Sequence, residues 1–323
     1  MQTWNVTQPS IALQGLLLEG PFFDEATREC RIIDIVGETV HTYNVDAGPS
    51  SLRTVTSEDC LGVTVNIKSI PSSRAYLVGA RHGVAAINTT TGKLKYLYKF
   101  WQDASEERQQ LMRSNDGAVD SCGRLWVGSM IDPGIAGEER PEGALFKVEA
   151  TSDGSLTSTQ IVAGVQSPNG TAWNAADTIM YWTDSGKRSI FAFDFDAVAG
   201  TIANQRTYWN AAAAGYADGA NPDGLVIDAE DCIWTALWRG SAVVRLDPAG
   251  NTIGKVLLPT AYVTCPLFVD TKLVITTARD PDHKDETEDS GVRRGGDVYE
   301  VDVGVKGVPR HEFILPAGAS IAW

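Results

Sequence analysis

One short phrase recurs about six times along the chain and constrains the fold more than any other feature. It consists of an acidic or amide residue, a glycine, a few mostly apolar residues and a closing Asp or Asn. Its glycines are Gly20, Gly62, Gly117, Gly170 and Gly224, and Pro266 takes the equivalent place in a sixth, weaker copy. These positions lie about 40 to 55 residues apart, which is typical of a chain built from repeated structural units.

Each copy of the phrase is followed by short apolar runs, such as Thr178–Thr183 and Ser189–Phe193. Their Val, Ile, Trp, Tyr and Thr residues favour half-buried strands, and turn residues separate the runs. About four short strands per unit, repeated six times, predict an all-β, six-bladed β-propeller with four-stranded antiparallel blades around a central channel. We expect one domain, residues 1–323, in which a strand near Ile11–Leu13 closes against the last unit.

The charge of the chain argues against two classes of partner. Its formal net charge is −14, whereas nucleic acids and anionic membrane surfaces are bound by basic patches. We therefore expect no nucleic acid and no membrane partner. No run of 18 apolar residues is present, and the first residues lack the basic-then-apolar pattern of a signal peptide.

The cysteines indicate a reducing compartment. There are five, an odd number, and none forms a CxxC pair. Cys122 and Cys232 follow copies of the phrase where strands are expected to start, so we predict that both are buried thiols. Together with the missing signal peptide, this predicts a cytoplasmic protein, and we expect a monomer.

The first strand of each propeller blade lines the central channel, so the residues before the repeated glycines are expected to converge. These residues are Glu19, Leu61, Asp116, Asn169, Asp223 and Cys265. Three carboxylates and an amide directed at one place repel one another unless a cation joins them, and oxygen ligands select a hard or borderline divalent ion. The alternative is that Asp-Gly and Asn-Gly mark ordinary hairpin turns. A shared position in several repeats favours the cation site.

Three insertions lie between the repeated elements. We predict a short helical lid within Gln102–Met112, because its Glu and Arg residues favour a helix. The Pro- and Gly-containing stretch Asp132–Glu142 is predicted to be a loop, and the charged stretch Arg279–Arg294 a solvated surface loop. Signatures of other hydrolases, such as G-x-S-x-G and H-E-x-x-H, are missing from the sequence.

Several motifs together resemble the regucalcin and gluconolactonase family of sugar lactonases. They are Glu19-Gly20-Pro21, Arg113-Ser114-Asn115-Asp116-Gly117, Ser167-Pro168-Asn169-Gly170, Tyr181-Trp182-Thr183-Asp184, Pro222-Asp223-Gly224 and Gly295-Gly296-Asp297-Val298-Tyr299. The resemblance covers nearly the whole chain. It implies a six-bladed propeller, one divalent cation (Ca, Zn, Mg, Mn or Fe) and hydrolysis of a small-molecule sugar lactone.

The resemblance also implies roles for individual residues. Glu19, Asn169 and Asp223 match the metal ligands of the family, and Asp223 matches its general base. Arg113 and Asn115 match substrate-binding positions, whereas Asp132 is the nearest candidate for an acidic substrate contact. Asp116 is expected to be a further channel residue. Two alternatives stay open: hydrolysis of other esters or organophosphates at the same site, and a non-enzymatic cation-binding propeller.

Overall fold

The repeated apolar runs form six sheets arranged as the blades of a β-propeller around a central channel, which confirms the predicted fold class. The computed structural model describes residues 1–280, 295–319, 321 and 323. Apart from its first two residues, the predicted loop Arg279–Arg294 lies outside the described residues. The innermost strand of each blade contacts that of the next, and the innermost strand of the sixth contacts that of the first. The ring is therefore closed.

The strands are numbered in chain order. The chain starts with β1 (Gln2–Asn5). Blade 1 contains β2 (Leu18–Asp24), β3 (Glu29–Asp34), β4 (Thr39–Asn44) and β5 (Arg53–Thr56). Blade 2 contains β6 (Leu61–Val65), β7 (Ala75–Ala80), β8 (Gly83–Asn88) and β9 (Leu94–Lys99). Blade 3 contains β10 (Met112–Val119), β11 (Leu125–Ile131), β12 (Gly143–Ala150) and β13 (Leu156–Val165).

The second half of the ring repeats this order. Blade 4 contains β14 (Pro168–Trp173), β15 (Ile179–Asp184), β16 (Ser189–Asp196) and β17 (Thr201–Asn210). Blade 5 contains β18 (Asn221–Ile227), β19 (Ile233–Trp238), β20 (Ala242–Leu246) and β21 (Thr252–Leu257). Blade 6 contains β22 (Val263–Val269), β23 (Lys272–Thr277) and β24 (Val298–Asp302). The described helices are α1 (Glu106–Leu111), α2 (Pro133–Ala136) and single 3₁₀ turns at Gly48–Ser51 and Ser185–Lys187.

The N-terminal segment completes the two last blades. Ile11 forms an antiparallel bridge with Val298 at the free edge of β24, which confirms the predicted closure near Ile11–Leu13. The sequence did not reveal that β1 pairs in parallel with β21 and gives blade 5 a fifth strand. At the other end of the chain, the backbone amide of Val308 donates to Ile227 O and that of Phe313 to Asn66 O. The C-terminal segment thus crosses from blade 5 to blade 2.

Every innermost strand carries a one-residue bulge at its copy of the phrase. The register shifts lie between Glu19 and Phe22, Leu61 and Val63, Ser114 and Gly117, Pro168 and Thr171, Pro222 and Leu225, and Val263 and Pro266. A bulge bends its strand and redirects the side chains beside it. Six bulges at equivalent places therefore direct one set of side chains from several blades toward the channel.

The repeated glycine allows neighbouring blades to approach at these bulges. A Cβ atom at Gly62 would lie 2.2 Å from the backbone oxygen of Asn115, and one at Gly170 would lie 2.5 Å from the backbone nitrogen of Leu225. No rotamer change relieves a clash with backbone, so any larger residue would push the innermost strands apart. The glycines are thus required by the tight ring around the channel.

Two predictions about local structure need correction. Cys122 is exposed and lies in the turn before β11, whereas Cys232 is buried and directly precedes β19. The reason is register: Cys122 comes two residues after Asp120, but Cys232 comes four residues after Asp228. The predicted loop Asp132–Glu142 also contains one helical turn, α2, whose N-terminus is capped by the Asp132 side chain. The helix expected within Gln102–Met112 is present as α1.

Candidate metal and substrate site

The predicted metal ligands come from three blades and are all buried at the channel. Glu19 lies on β2, Asn169 on β14 and Asp223 on β18, each beside the bulge of its strand, with side chains about 5–6% exposed. Leu61 is an exception among the residues expected to converge. Its apolar side chain packs in the core with Ile33 and Tyr76, because burial there removes it from water.

The carboxylates of this cluster strongly perturb one another. Burial, and then the Asp116 carboxylate, raise the pKa of Glu19 to about 8, although the Gly20 amide and Arg113 oppose the shift. Burial raises the pKa of Asp116 to about 6. The pKa of Asp223 lies well above its usual range because of burial and the charges of Glu19 and Asp116. Negative charge is therefore concentrated where the chain itself supplies little compensation.

The side-chain amide of Asn169 is held in one orientation. Its Nδ2 donates to Ser185 Oγ at 2.8 Å, and Ser185 Oγ donates to the backbone oxygen of Pro222 at 2.6 Å. Because Nδ2 is engaged in this way, Oδ1 is the atom left to act as a ligand. Sequence reasoning missed Ser185, although it directly follows the Tyr181-Trp182-Thr183-Asp184 motif.

The predicted substrate-binding residues are connected to this amide. Asn115 Nδ2 donates to Asn169 Oδ1 at 3.0 Å, and Arg113 Nη1 donates to Asn115 Oδ1 at 2.6 Å. Arg113 Nε lies 3.8 Å from Asp132 Oδ1. Arg113 and Asn115 are each about 7% exposed. The structure thus joins Arg113, Asn115, Asn169 and Asp132 in one series of contacts. Glu19, Asp116 and Asp223 influence one another through their charges.

The donor set fits a divalent cation. Two carboxylates balance the charge of a dication, and an amide oxygen adds a neutral ligand of the kind that hard cations prefer. Glu19, Asn169 and Asp223 are the residues that would hold it. A second acidic group, Asp228, Glu230 and Cys232, has ligand atoms within 4.8 Å of one another. That group does not suit a cation, because Arg245 already pairs with both of its carboxylates.

A cavity of about 320 Å³ lies between the innermost strands of the blades. Its walls are mostly apolar and include Val65, Leu225 and Leu267, while Asp116 and Cys265 lie among its lining residues. Arg310, from the C-terminal segment, also lines the cavity and lies 5.8 Å from the centre of the Phe22 ring. Asp116 therefore faces the channel cavity in addition to influencing Glu19 and Asp223.

Comparison with known proteins identifies the family. The model of the SMP-30/gluconolactonase/LRE-like region matches residues 17–279, which is most of the chain. The chain belongs to this family. The resemblance inferred from the sequence motifs is thereby confirmed.

Relatives of this SMP-30/gluconolactonase-like protein include enzymes and calcium-binding proteins by name. Regucalcin of Sus scrofa is 28% identical over 313 residues, covering 91% of this chain and 94% of its own. The Bacillus subtilis protein named "Putative sugar lactone lactonase YvrE" is 29% identical over 275 residues, covering 82% of this chain and 84% of its own. The second of these relatives indicates a sugar lactonase function within the family.

Solved structures show the same fold. The calcium-binding protein regucalcin from Agrobacterium tumefaciens superposes with a TM-score of 0.79 at 24% identity, covering 98% of this chain and 99% of its own. A gluconolactonase from Xanthomonas campestris gives a TM-score of 0.66 at 17% identity, covering 92% and 88%. Within the described part of this SMP-30/gluconolactonase-like chain, no helix is both long and apolar enough to cross a membrane.

Proposed function

We propose that the protein is a divalent-metal-dependent lactonase that hydrolyses sugar lactones to aldonic acids. The observation that carries this proposal is the burial of Glu19, Asn169 and Asp223 at the channel, with the hydrogen-bonding pair Arg113 and Asn115 in contact with Asn169. A cation with a purely structural role has no need of substrate donors beside its ligands. Membership of the SMP-30/gluconolactonase/LRE-like family and a relative named as a sugar lactone lactonase support the same activity.

In this proposal the ion is Ca, Mg, Mn, Zn or Fe, held by Glu19, Asn169 and Asp223. When bound, the cation would act as a Lewis acid that polarises the lactone carbonyl and stabilises negative charge on its oxygen. Asp223 acts as general base and removes a proton as the water oxygen bonds to the carbonyl carbon. The same proton passes to the ring oxygen as the carbon–oxygen bond breaks, which yields the free hydroxyl and the acid.

The remaining residues orient the substrate. Arg113 Nη1 already donates to Ser114 O and Asn115 Oδ1, so Nη2 is the donor of this guanidinium that faces a sugar hydroxyl or lactone oxygen. Asn115 lies next to Asn169 and therefore close to the ion. Asp132, the acidic residue expected at the substrate, lies 3.8 Å from Arg113 Nε. Directed donors of this kind align the carbonyl with the attacking water.

The test uses protein stripped with a chelator. Acid release is followed from a panel of 1,4- and 1,5-aldonolactones as single cations are restored, with spontaneous hydrolysis subtracted for each lactone. We expect cation-dependent turnover that is lost in Asp223→Asn. Asp270→Asn is the control, because Asp270 ends the sixth copy of the phrase at the surface with a side chain 55% exposed. Its turnover should equal that of the unaltered protein.

Other outcomes separate the alternatives. Tight cation binding without turnover of any lactone would overturn the lactonase proposal and favour a cation-binding propeller. Turnover confined to aryl esters or organophosphates would instead retain the site and change the substrate.

We further propose one domain, residues 1–323, acting as a monomer in the cytoplasm on a small molecule, without nucleic acid or membrane partners. Sedimentation velocity of the purified chain and fractionation of the cells that produce it test these statements.

A further inference from the structure

A second arginine, which no sequence motif indicated, lies one residue beyond β7 and joins two carboxylates. Arg81 Nε is 3.0 Å from Asp59 Oδ1, and Arg81 Nη1 is 2.8 Å from Asp132 Oδ2. The side chain of Arg81 is 18% exposed, and those of Asp59 and Asp132 are 22% and 13% exposed. Both contacts are well-formed charge-assisted hydrogen bonds in a largely buried setting.

The Asp132 carboxylate is shared between two guanidinium groups. Its Oδ2 pairs with Arg81, while its Oδ1 accepts from the Gly134 amide at 2.9 Å and lies 3.8 Å from Arg113 Nε. The distance to Arg113 exceeds that of a hydrogen bond. Asp132 is therefore held back from Arg113 by Arg81 and by its role at the N-terminus of α2. Arg113 keeps donors that a direct ion pair would otherwise occupy.

From Arg113 the contacts continue to the proposed metal ligands. Arg113 Nη1 donates to Asn115 Oδ1 at 2.6 Å, and Asn115 Nδ2 donates to Asn169 Oδ1 at 3.0 Å. A continuous series of polar contacts thus leads from Arg81 in blade 2, through blade 3, to Asn169 in blade 4. A substitution at Arg81 should therefore alter substrate binding by Arg113 more than cation binding by Asn169.

We propose that Arg81 is a positioning residue for the substrate, which restrains Asp132 so that Arg113 is available to the lactone. This inference rests on the proposed lactonase function. Asp132 then acts through Arg113 and does not contact the sugar itself. A lysine replaces the planar fork of arginine with a single charge, which does not reproduce two contacts in a fixed geometry.

Kinetics of Arg81→Gln test the proposal. Without Arg81, the Asp132 carboxylate is free to pair side-on with Nε and Nη2 of Arg113, so that Nη2 no longer donates to the substrate. We expect KM to rise on the order of tenfold, as for other misplaced substrate-positioning groups, while kcat changes much less. Arg81→Lys should restore only part of this loss. An unchanged KM in Arg81→Gln, with normal turnover by the unaltered protein, would overturn the positioning role and leave the lactonase proposal intact.

The chain offers a matched control in blade 5, at the end of β18 away from Asp223. Arg245 Nη2 also joins two carboxylates, Asp228 Oδ2 at 2.6 Å and Glu230 Oε2 at 2.7 Å, and its side chain is 14% exposed. Arg245→Gln should lower the melting temperature and leave KM unchanged. If both glutamine variants raise KM equally, the effect of Arg81 reflects general destabilisation, and the proposal fails.

A double variant separates action through Arg113 from direct contact with substrate. Asp132→Asn retains a side chain suited to cap α2, so the local fold is preserved. When Asp132→Asn is added to Arg81→Gln, no carboxylate remains to close on Arg113, and KM should fall back toward that of Asp132→Asn alone. If KM of the double variant is higher than that of either single variant, Asp132 binds the sugar itself.

One measurement does not depend on turnover. The ¹⁵N-Hε resonance of Arg113, assigned with Arg113→Lys, should shift and exchange more slowly in Arg81→Gln, because Asp132 then accepts a hydrogen bond from Nε. An unshifted resonance overturns the proposal whatever the activity. If the unaltered protein hydrolyses no lactone, the proposed function fails on that result, and the resonance still decides whether Arg81 restrains Asp132.

Discussion

The repeated phrase carries a buried carboxylate at each end, and the two differ in whether the fold compensates their charge. Asp223 and Asp228 of blade 5 show this difference. Asp228 accepts from the Cys232 amide at 3.0 Å, Trp234 Nε1 at 2.8 Å and Arg245 Nη2 at 2.6 Å. Asp223 is nearly as buried, but its neighbours are the carboxylates of Glu19 and Asp116. Asp228 is compensated within the fold, whereas the charge of Asp223 is removed by protonation or, as we propose, balanced by a bound cation.

Blade 3 repeats the contrast. Asp120, at the end of its phrase, accepts from Arg124 Nε at 2.7 Å and Trp126 Nε1 at 2.8 Å. Asp116, at the start, accepts only from the Gly117 amide, at 2.6 Å, among the hydrogen bonds of the described residues. The same residue type therefore supports the turn at one end of the phrase and the site at the other. The surroundings decide which role a buried carboxylate has.

The largest expected effect is that of Asp223→Asn. The neutral amide does not accept the proton of water, so turnover should fall by about 10² to 10⁴, and cation affinity should fall with it. The metal-free protein should keep its melting temperature or gain stability, because the change removes a buried repulsion with Glu19. Calorimetric unfolding in excess chelator checks this point. If the metal-free Asp223→Asn variant is less stable than the metal-free unaltered protein, Asp223 is not under repulsion, and the difference drawn between Asp223 and Asp228 is wrong.

Asp228→Asn should behave in the opposite way. Losing this charge leaves the Arg245 guanidinium with the exposed carboxylate of Glu230 in place of a buried one, so the free energy of unfolding should fall by about 1.5–3 kcal/mol, the range for a hydrogen bond to a charged group. Cation affinity and KM, measured below the new unfolding transition, should not change. Urea denaturation and titration calorimetry on the same preparation provide both numbers. A weaker cation affinity in Asp228→Asn would mean that Asp228, at the end of the phrase, influences the ligands at its start.

Ser185→Ala should produce an intermediate effect. Without Ser185 Oγ, the Asn169 amide loses the acceptor that fixes its orientation, and cation affinity should drop about 10- to 100-fold, as when other outer-shell partners are removed. Ser72→Ala is the matched control, since Ser72 donates to Asp24 at the turn end of the first phrase. Competition with a fluorescent chelator measures both variants. Equal losses in the two would exclude an orienting role for Ser185.

The most gradual expected effect is the pH dependence of the stability of the metal-free protein. Folded Glu19 keeps its proton to about pH 8, whereas the unfolded chain releases it near pH 4.5. The folded state therefore binds more protons in this window, and stability should fall as pH rises, by at most about 1.4 kcal/mol per pH unit for this group. Above pH 8 its contribution should be constant.

Glu19→Gln isolates that contribution. The difference between its unfolding free energy and that of the unaltered protein, both in chelator, should change between pH 5 and 8 and level off above. Apparent cation affinity of the unaltered protein should rise over the same window, because protons must leave as the ion binds. A difference that does not vary with pH would show that Glu19 is not perturbed by its neighbours.

The sequence by itself determined the architecture and the residues at the start of each phrase. Short apolar runs, turn residues and a glycine at a recurring position are local signals, and they led to six blades and to Glu19, Asn169 and Asp223 as buried channel residues. Closure of the last blade near Ile11 was also predictable, because a ring must close, although Ile11 forms a single bridge and no strand. Cys122 was misplaced by comparing it with Cys232, when its true counterpart in blade 5 is Glu230.

Only the tertiary structure decided which side chains meet across blades. Asp120 is compensated within its own blade by Arg124 and Trp126, whereas Asp116, four residues earlier, acts on Glu19 of blade 1 and Asp223 of blade 5. Ser185 joins Asn169 of its own blade to Pro222 of blade 5, and Arg81 of blade 2 holds Asp132 of blade 3, because the closed ring brings distant segments together. Local pattern fixes where strands and turns form, whereas the charge balance of the site depends on contacts made only when the ring is complete.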